Sequence, residues 1–459
     1  MTSGLLSRDS GHGRPAAPVA HVHLGLGNFF RAHQAFYTEL AGDGDEWGIA
    51  AFTGRSPALA DAMARQQGLY TLVTQEPAGD RYDVISSVSC AHPGTDMESW
   101  LAYLQTPQSR IVTLTVTEAA YMRDEDGKLD STRPEVQADI EALRYDDPLS
   151  VVTVPGRIAA GLAGRRAADA GPIAVVPCDN LSANGSQVAR VVTDLAAEVD
   201  PALAQWITES VSFVTSMVDR ITPRASEEDR LGVERHTGVR DRCPVVTEPF
   251  TEWVLQGEFP AGRPRWEDGG AAFVDDVTAF EQRKLWLLNG AHSLLAYAGS
   301  IRGHVTVAEA VNDPACVAWM EQWWDEASRH LAIPTEAIAG YRAALVDRFS
   351  NPGMRHLLAQ IAADGTQKLP MRTVPVLLLE RAQGRLPLGA TRTLAAWVLH
   401  LRGLGAPVTD AHAAEAVALA HGPLADAVRR TLSYLSPELG EDTGVVSTVV
   451  AQMEELSRT

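Results

Sequence analysis

The chain has 459 residues, 45% of them hydrophobic, which is long enough for two domains, each with a sizeable core. Its formal charge of 39 − 58 = −19 repels phosphate backbones and anionic membrane surfaces, which argues against nucleic-acid and membrane partners. Four widely spaced cysteines with no C-x-x-C pair offer neither a zinc knuckle nor a redox dithiol, and they fit a reducing, cytoplasmic setting.

Residues 1–18 lack the apolar region of a signal peptide and are expected to form a disordered lead-in. From there the chain alternates β-branched runs with helical stretches. The predicted strands are A-H-V-H-L-G-L, W-G-I-A-A-F-T, D-V-I-S-S-V-S, R-I-V-T-L-T-V-T, I-A-V-V-P-C and S-F-V-T-S-M-V. Helices are predicted between them at Phe30 to Ala41 and Pro57 to Gln67. This is the pattern of an α/β, doubly wound, Rossmann-like dinucleotide-binding domain over residues 19–240. From 241 to 459 strands give way to Ala/Leu-rich amphipathic segments such as Val307 to Ala332 and Pro334 to Phe349, so a mainly α-helical C-terminal domain is expected. The apolar run Leu285 to Ile301 is interrupted by Asn289, Gly290, His292 and Ser293. It falls short of the ~20 residues of a membrane span and reads as a buried helix.

The first strand runs into H-L-G-L-G-N-F-F-R-A-H-Q-A, which has the first two glycines of a dinucleotide turn, Gly25 and Gly27, but Phe30 in the third place. The first glycine allows the bend, the second lets backbone approach a pyrophosphate, and the third serves helix packing, so only packing is lost. Asn28 and Phe29 complete the candidate turn, and Arg31 in the first helical turn is placed to reach a phosphate. At the end of the second strand, where an acid usually meets the adenosine ribose, the chain has F-T-G-R-S. Arg55 can stack on adenine or meet a 2′-phosphate, which leaves NAD or NADP open. His21, His23 and His33 have no suitably spaced carboxylate and read as structural rather than metal ligands.

A second polar set lies in E-Q-R-K-L-W-L-L-N-G-A-H-S-L-L. At ~100° per residue, His292 falls about 80° and Asn289 about 140° from Lys284, on one side of an otherwise apolar helix. A buried lysine loses affinity for its proton and can act as general base for a secondary alcohol. The Asn289 amide can donate to the developing oxyanion, and His292 can orient the hydroxyl or tune the lysine. The alternative is a snorkelling lysine, a core histidine and a kink at the asparagine. After the strand I-A-V-V-P, the cluster C-D-N-L-S-A-N-G places Asn180 and Asn184 at the carboxyl edge where such sheets bind ligands, although Asn-Gly is also ordinary turn chemistry.

With T-L-T-V-T-E-A-A-Y, S-M-V-D-R-I-T-P and D-G-T-Q-K-L-P, these motifs form an ordered set, from about residue 21 to at least 400, that resembles the mannitol dehydrogenase family of polyol-specific long-chain dehydrogenases. The resemblance implies an NAD-dependent oxidoreductase, with NADP the alternative. It would interconvert a secondary alcohol and a ketone on an open-chain hexitol or aldonate (D-mannitol/D-fructose or D-mannonate/D-fructuronate) without a metal. Its partner would be a small sugar alcohol or sugar acid, and the protein a monomer or weak oligomer. By matching position, Lys284 is the general base, Asn180 and Asn289 stabilise the alkoxide, and His292, Asp219 and Lys368 contact substrate hydroxyls. Eight residues before Lys368, where mannitol-type members carry arginine, this chain has Gln360, which brings the segment closer to fructuronate reductase. Lys368, Arg372, Arg220 and Arg157 are available to cradle a carboxylate. Other readings are a mannitol 1-phosphate/fructose 6-phosphate dehydrogenase and a catalytically inactive nucleotide-binding protein. No G-x-x-x-x-G-K-[ST] stretch supports a phosphotransferase.

Overall fold

A computed structural model describes residues 4–54, 56–76, 78–351, 353 and 356–458. The chain forms two compact units, Met1–Thr278 and Ala279–Thr459, so the division falls well beyond the expected residue 240. The first unit contains β1 (Val19–Leu24), β2 (Gly48–Phe52), β3 (Tyr70–Thr74), β4 (Arg81–Ile85), β5 (Val88–His92), β6 (Ile111–Leu114), β7 (Ile173–Pro177), β8 (Val211–Phe213), β9 (Thr215–Asp219), β10 (Val245–Thr247), β11 (Glu252–Gln256) and β12 (Ala272–Phe273).

Six strands form one parallel sheet in the order β5-β2-β1-β6-β7-β8, the doubly wound arrangement, with its switch point between β1 and β6. Period-two alternation divides the core between the two faces. Val22, Leu24, Phe52, Val112, Leu114 and Val175 pack on one side, and Ile49, Ala51, Ile111, Ala174 and Val176 on the other. Two predicted strands are each divided between sheets. D-V-I-S-S-V-S becomes the end of β4, paired antiparallel with β3, and the start of β5 in the parallel sheet. The break falls at Ser86-Ser87, where Ser86 N–H donates to Glu39 (2.7 Å) and Ser87 Oγ to the Ala35 carbonyl (2.7 Å). S-F-V-T-S-M-V likewise splits at Val214 into β8 and β9, and β9 pairs with β11.

The strands β10 to β12 explain the shifted boundary, because β10 pairs with β3 and β11 with β9, tying residues up to Phe273 into the first unit. The described part of the lead-in is also ordered. Leu6 is fully buried, and Arg8 donates to the carbonyls of Gln67 (2.9 Å), Ser86 (2.7 Å) and Val88 (3.0 Å). One apolar side chain and one multiply bonded guanidinium hold a segment whose composition reads as loop.

His21 and His23 are structural. Both are fully buried on one face of β1 and hydrogen-bond the Thr113 hydroxyl at 2.6 and 2.8 Å, and His23 also reaches Thr115 at 3.0 Å. Burial pushes His21 down to about 3 and His23 well below its ordinary value. Below ~6.5 the unfolded chain binds protons that the folded chain refuses, so stability falls as pH falls, by about 1 kcal/mol per unit for His21 until its lowered value is reached, with His23 acting in the same direction. Urea midpoints at pH 7, 6 and 5 should fall accordingly, and His21→Gln should flatten the slope.

The second unit is helical. The helix Leu388–Leu401 is buried along nearly its whole length, and Pro314–Ser328 and Thr443–Leu456 pack against it. Val307 to Ala332, expected as one helix, breaks into Val307–Ala310 and Pro314–Ser328. Asp313 caps the second piece through Ala315 N–H (2.9 Å) ahead of Pro314. Among the described residues no helix is long and apolar enough to cross a membrane. All four cysteines are free thiols.

Candidate active site

In the first unit the glycine turn leaves the carboxyl end of β1, beside the switch point. Gly25 has φ +112, and a Cβ there would lie 2.2 Å from the Thr115 carbonyl oxygen, so the position requires glycine. Thr115 Oγ in turn donates to the Gly25 carbonyl (2.7 Å) and ties the turn to β6. Gly27 has ordinary extended backbone, and its Cβ would touch only the Gly25 carbonyl, at 3.5 Å, so the space around it is open. Phe30 is fully buried and stacks on the His23 ring, centroids 3.6 Å apart. It fills the helix–strand gap that a third glycine would close. The predicted helix from Phe30 to Ala41 is two short helices, Asn28–Ala32 and Gln34–Leu40, broken at His33.

Arg31 corrects an expectation. It is 2% exposed and turned inward: Nε donates to the Gly27 carbonyl (3.1 Å), Nη2 to Asn28 Oδ1 (2.7 Å) and Nη1 to the Cys243 carbonyl. It braces the turn from behind instead of reaching outward. Asn28, held by Arg31, also donates to the Pro223 carbonyl (3.5 Å), and Phe29 is half-buried against His33, centroids 4.9 Å apart. Arg55 lies outside the described residues.

At the carboxyl end of β7, Asn180 is exposed. Its neighbour Asp179 accepts from the Leu181 N–H (2.9 Å) and the Tyr121 hydroxyl, and burial raises its pKa. Asn184 does not face outward with Asn180. It is buried, exchanging hydrogen bonds with the Ser216 N–H and carbonyl, both at 2.9 Å, and so ties this loop to β9. Asp219 is 5% exposed, opposite Glu252 in the β9–β11 ladder. Arg220 spends its guanidinium on the carbonyls of Glu248 and Ala32 and is no carboxylate cradle. Arg157 is half-buried, and burial lowers its pKa.

In the second unit the lysine segment is not the α-helix assumed from its periodicity. Lys284–Gly290 and Leu295–Gly299 are π-helical, separated by one α-turn, Ala291–Leu294. In a π-turn the i→i+5 hydrogen bond brings residues five apart toward one face, so Lys284 and Asn289 are closer in direction than the ~140° an α-helix would set between them. Two indoles hold the widened turn: Trp323 Nε1 donates to the Trp286 carbonyl and Trp324 Nε1 to the Leu287 carbonyl, each at 2.8 Å. Gly290 lets Trp323 approach, since a Cβ there would sit 2.5 Å from the indole ring. Lys284 and Asn289 are half-buried, less enclosed than expected, whereas His292 is 6% exposed. Burial holds His292 well below the usual histidine range, and His356, Arg348 and Arg372 add to the effect, so the imidazole is neutral at pH 7.

Lys368 is half-buried and donates to the carbonyls of Ile361 (3.3 Å) and Ala363 (2.5 Å). Burial, then Arg372, lowers its pKa. Gln360, eight residues earlier, is exposed. The π-turns and Arg348 went unread at the sequence level, and Arg372 was only one of four cations available to a carboxylate, because neither helix type nor long-range cation clustering has a local signature. His304, Asp313 and Cys316 also come together, but Asp313 Oδ2 already holds Arg302 Nε (2.5 Å) and His304 Nε2 (2.9 Å), an ion-paired helix start.

Residues 20–268 match the mannitol dehydrogenase Rossmann domain and residues 276–457 the mannitol dehydrogenase C-terminal domain. D-mannonate oxidoreductase of Escherichia coli is 38% identical over 400 residues, covering 83% of this chain and 80% of that protein. D-arabinitol 4-dehydrogenase of Ralstonia nicotianae is 38% identical over 393 residues, 83% of each chain. The structure of Pseudomonas fluorescens mannitol 2-dehydrogenase in ternary complex with NAD and D-mannitol superposes with a TM-score of 0.79 at 35% identity, covering 96% of this chain and 92% of that one.

Proposed function

The chain belongs to the mannitol dehydrogenase family, and on that premise we propose an NAD-dependent oxidoreductase that interconverts a secondary alcohol and a ketone on an open-chain hexitol or aldonate, without a metal. The observation that carries the reading is the π-helical turn Lys284–Gly290, which brings Lys284 and Asn289 toward one face and so supports a base and an amide donor serving one oxygen.

The first unit suits the cofactor. Gly25 occupies a position that any Cβ would block, Gly27 leaves open space beside the turn, and the first N–H groups of Asn28–Ala32 have no partner within their helix. Gly25, Gly27, Asn28 and Phe29 would hold the pyrophosphate end, with Arg31 as the brace that fixes Asn28. When bound, NAD supplies the hydride acceptor.

The protein's own residues manage the proton and the oxygen. Lys284 Nζ takes the hydroxyl proton during oxidation and returns it during reduction. The Asn289 amide donates to the alkoxide oxygen, the charge-stabilising task a Lewis acid would otherwise perform, and Asn180 in the first unit is a further candidate for that task. His292, neutral at pH 7, orients a hydroxyl without adding a positive charge beside the lysine. Asp219, Lys368 and Gln360 are the remaining candidates for substrate contact.

A screen of D-mannitol, D-mannonate, D-fructose, D-fructuronate and D-fructose 6-phosphate with both nicotinamide cofactors should find turnover with at least one open-chain pair and NAD(H). NADH binding with no turnover of any of these would favour the inactive nucleotide-binding reading.

A further inference from the structure

Around His292, just after the lysine turn, lie polar groups that the proton chemistry does not use. His292 Nε2, His356 Nδ1 and Arg372 Nε are each buried without a hydrogen-bond partner among the described residues. They lie together: the His292 and His356 rings meet edge to face with centroids 4.9 Å apart, and Arg372 Nη1 donates to the hydroxyl of Ser293, next to His292, at 3.3 Å. Arg348, 7% exposed, adds another cation to the group.

Electrostatics give the group its sign. Among the described residues the charged neighbours that move His292 are His356, Arg348 and Arg372, and Arg348 acts on His356 in the same direction. Burial pushes Arg372 down to about 10, and among the described residues it is Tyr297, not a carboxylate, that offsets this. Nearby Asp364 and Asp410 act instead on Lys368, which is already committed to two carbonyls. A buried guanidinium needs acceptors, and an uncompensated one is costly enough that cations buried for a purpose are paired. Water could satisfy an N–H but would leave the charge uncompensated. An oxyanion does both, and a guanidinium fork suits it better than a point charge.

We propose that Arg372, with Ser293 and His356, anchors a terminal oxyanion of the substrate, so that the enzyme takes an anionic open-chain sugar in preference to a neutral polyol. This rests on the oxidoreductase reading above and narrows it. The same chemistry is available from a sugar-acid carboxylate or a sugar phosphate, and substrate choice separates them.

The test is kcat/KM for D-fructuronate, D-fructose 6-phosphate and D-fructose, measured for the wild type, Arg372→Met and Arg372→Lys with NADH. The wild type should prefer one of the two anions over fructose, and which one identifies the carboxylate or the phosphate. Arg372→Met should reduce that anion-to-fructose ratio by at least roughly tenfold, the worth of a charge-assisted hydrogen bond. Arg372→Lys should recover part of it. Equal losses on charged and neutral substrates, or an unchanged ratio, would overturn the proposal. If Arg372→Met does not fold, Arg372→Lys and His356→Asn carry the same ratio comparison. Should no substrate turn over, calorimetric titration with D-mannonate and D-mannitol still decides: mannonate binding that is lost in the arginine variants supports the anchor, and absence of mannonate binding to the wild type removes it.

Discussion

Lys284→Ala is expected to lower kcat by about 10²- to 10⁴-fold, the usual worth of a positioned general base, while the NADH dissociation constant stays nearly unchanged. That loss corresponds to roughly 3–5 kcal/mol of transition-state stabilisation, more than any single contact to a substrate hydroxyl supplies. The two effects separate because the nucleotide turn and the lysine belong to different compact units. Small primary amines should restore part of the turnover if the lysine only accepts a proton. Asn289→Ala, which removes an oxyanion donor, should lose about 10²- to 10³-fold and gain nothing from amines. Parallel loss of NADH affinity and turnover in Lys284→Ala would assign the lysine a structural task instead.

The parallel sheet was legible because its strands bury both faces and read as β-branched runs between helical stretches, so the α/β class and the helical second half follow from local pattern. The smaller sheets were less visible. β4 and β5 run on through Ser86-Ser87, and β8 and β9 through Val214, without a Pro or Gly to mark the change of sheet. What divides them is distant: Glu39 and Ala35 in one case, and pairing with β11 in the other. The boundary expected at residue 240 was misplaced for a similar reason, since β10 and β11 are short and take their place only by pairing with the distant β3 and β9.

At the candidate site, residue types were readable and their directions were not. Gly25 is required by its backbone, as its place in the turn suggested, whereas Arg31 in the first helical turn is spent on carbonyls inside the fold. Asn180 and Asn184 sit four residues apart in one loop, yet one is exposed and the other locked onto Ser216. Side chains that can serve a ligand or the backbone equally well are decided by partners far along the chain.

Gly290→Ala tests whether the π-turn sets the catalytic geometry. The added methyl would lie 2.5–2.8 Å from Cζ2, Cε2 and Nε1 of Trp323, a fully buried ring with nowhere to go. Overpacking of this kind costs about 1–3 kcal/mol, so the melting temperature should fall by a few degrees. The larger effect should be on turnover, because the displaced indole is the one that donates to the Trp286 carbonyl and holds the widened turn. If the turn reverts toward α geometry, Lys284 and Asn289 swing to ~140° apart, and a misplacement of ~1 Å costs about 10²-fold in rate. Added amines should not rescue this variant, since its base is present but misplaced. Trp323→Phe in the same background removes the three clashing atoms and should recover stability, but not turnover, because the indole donor is gone as well. Full kcat in Gly290→Ala would mean that the base and the amide are positioned by something other than the π-turn.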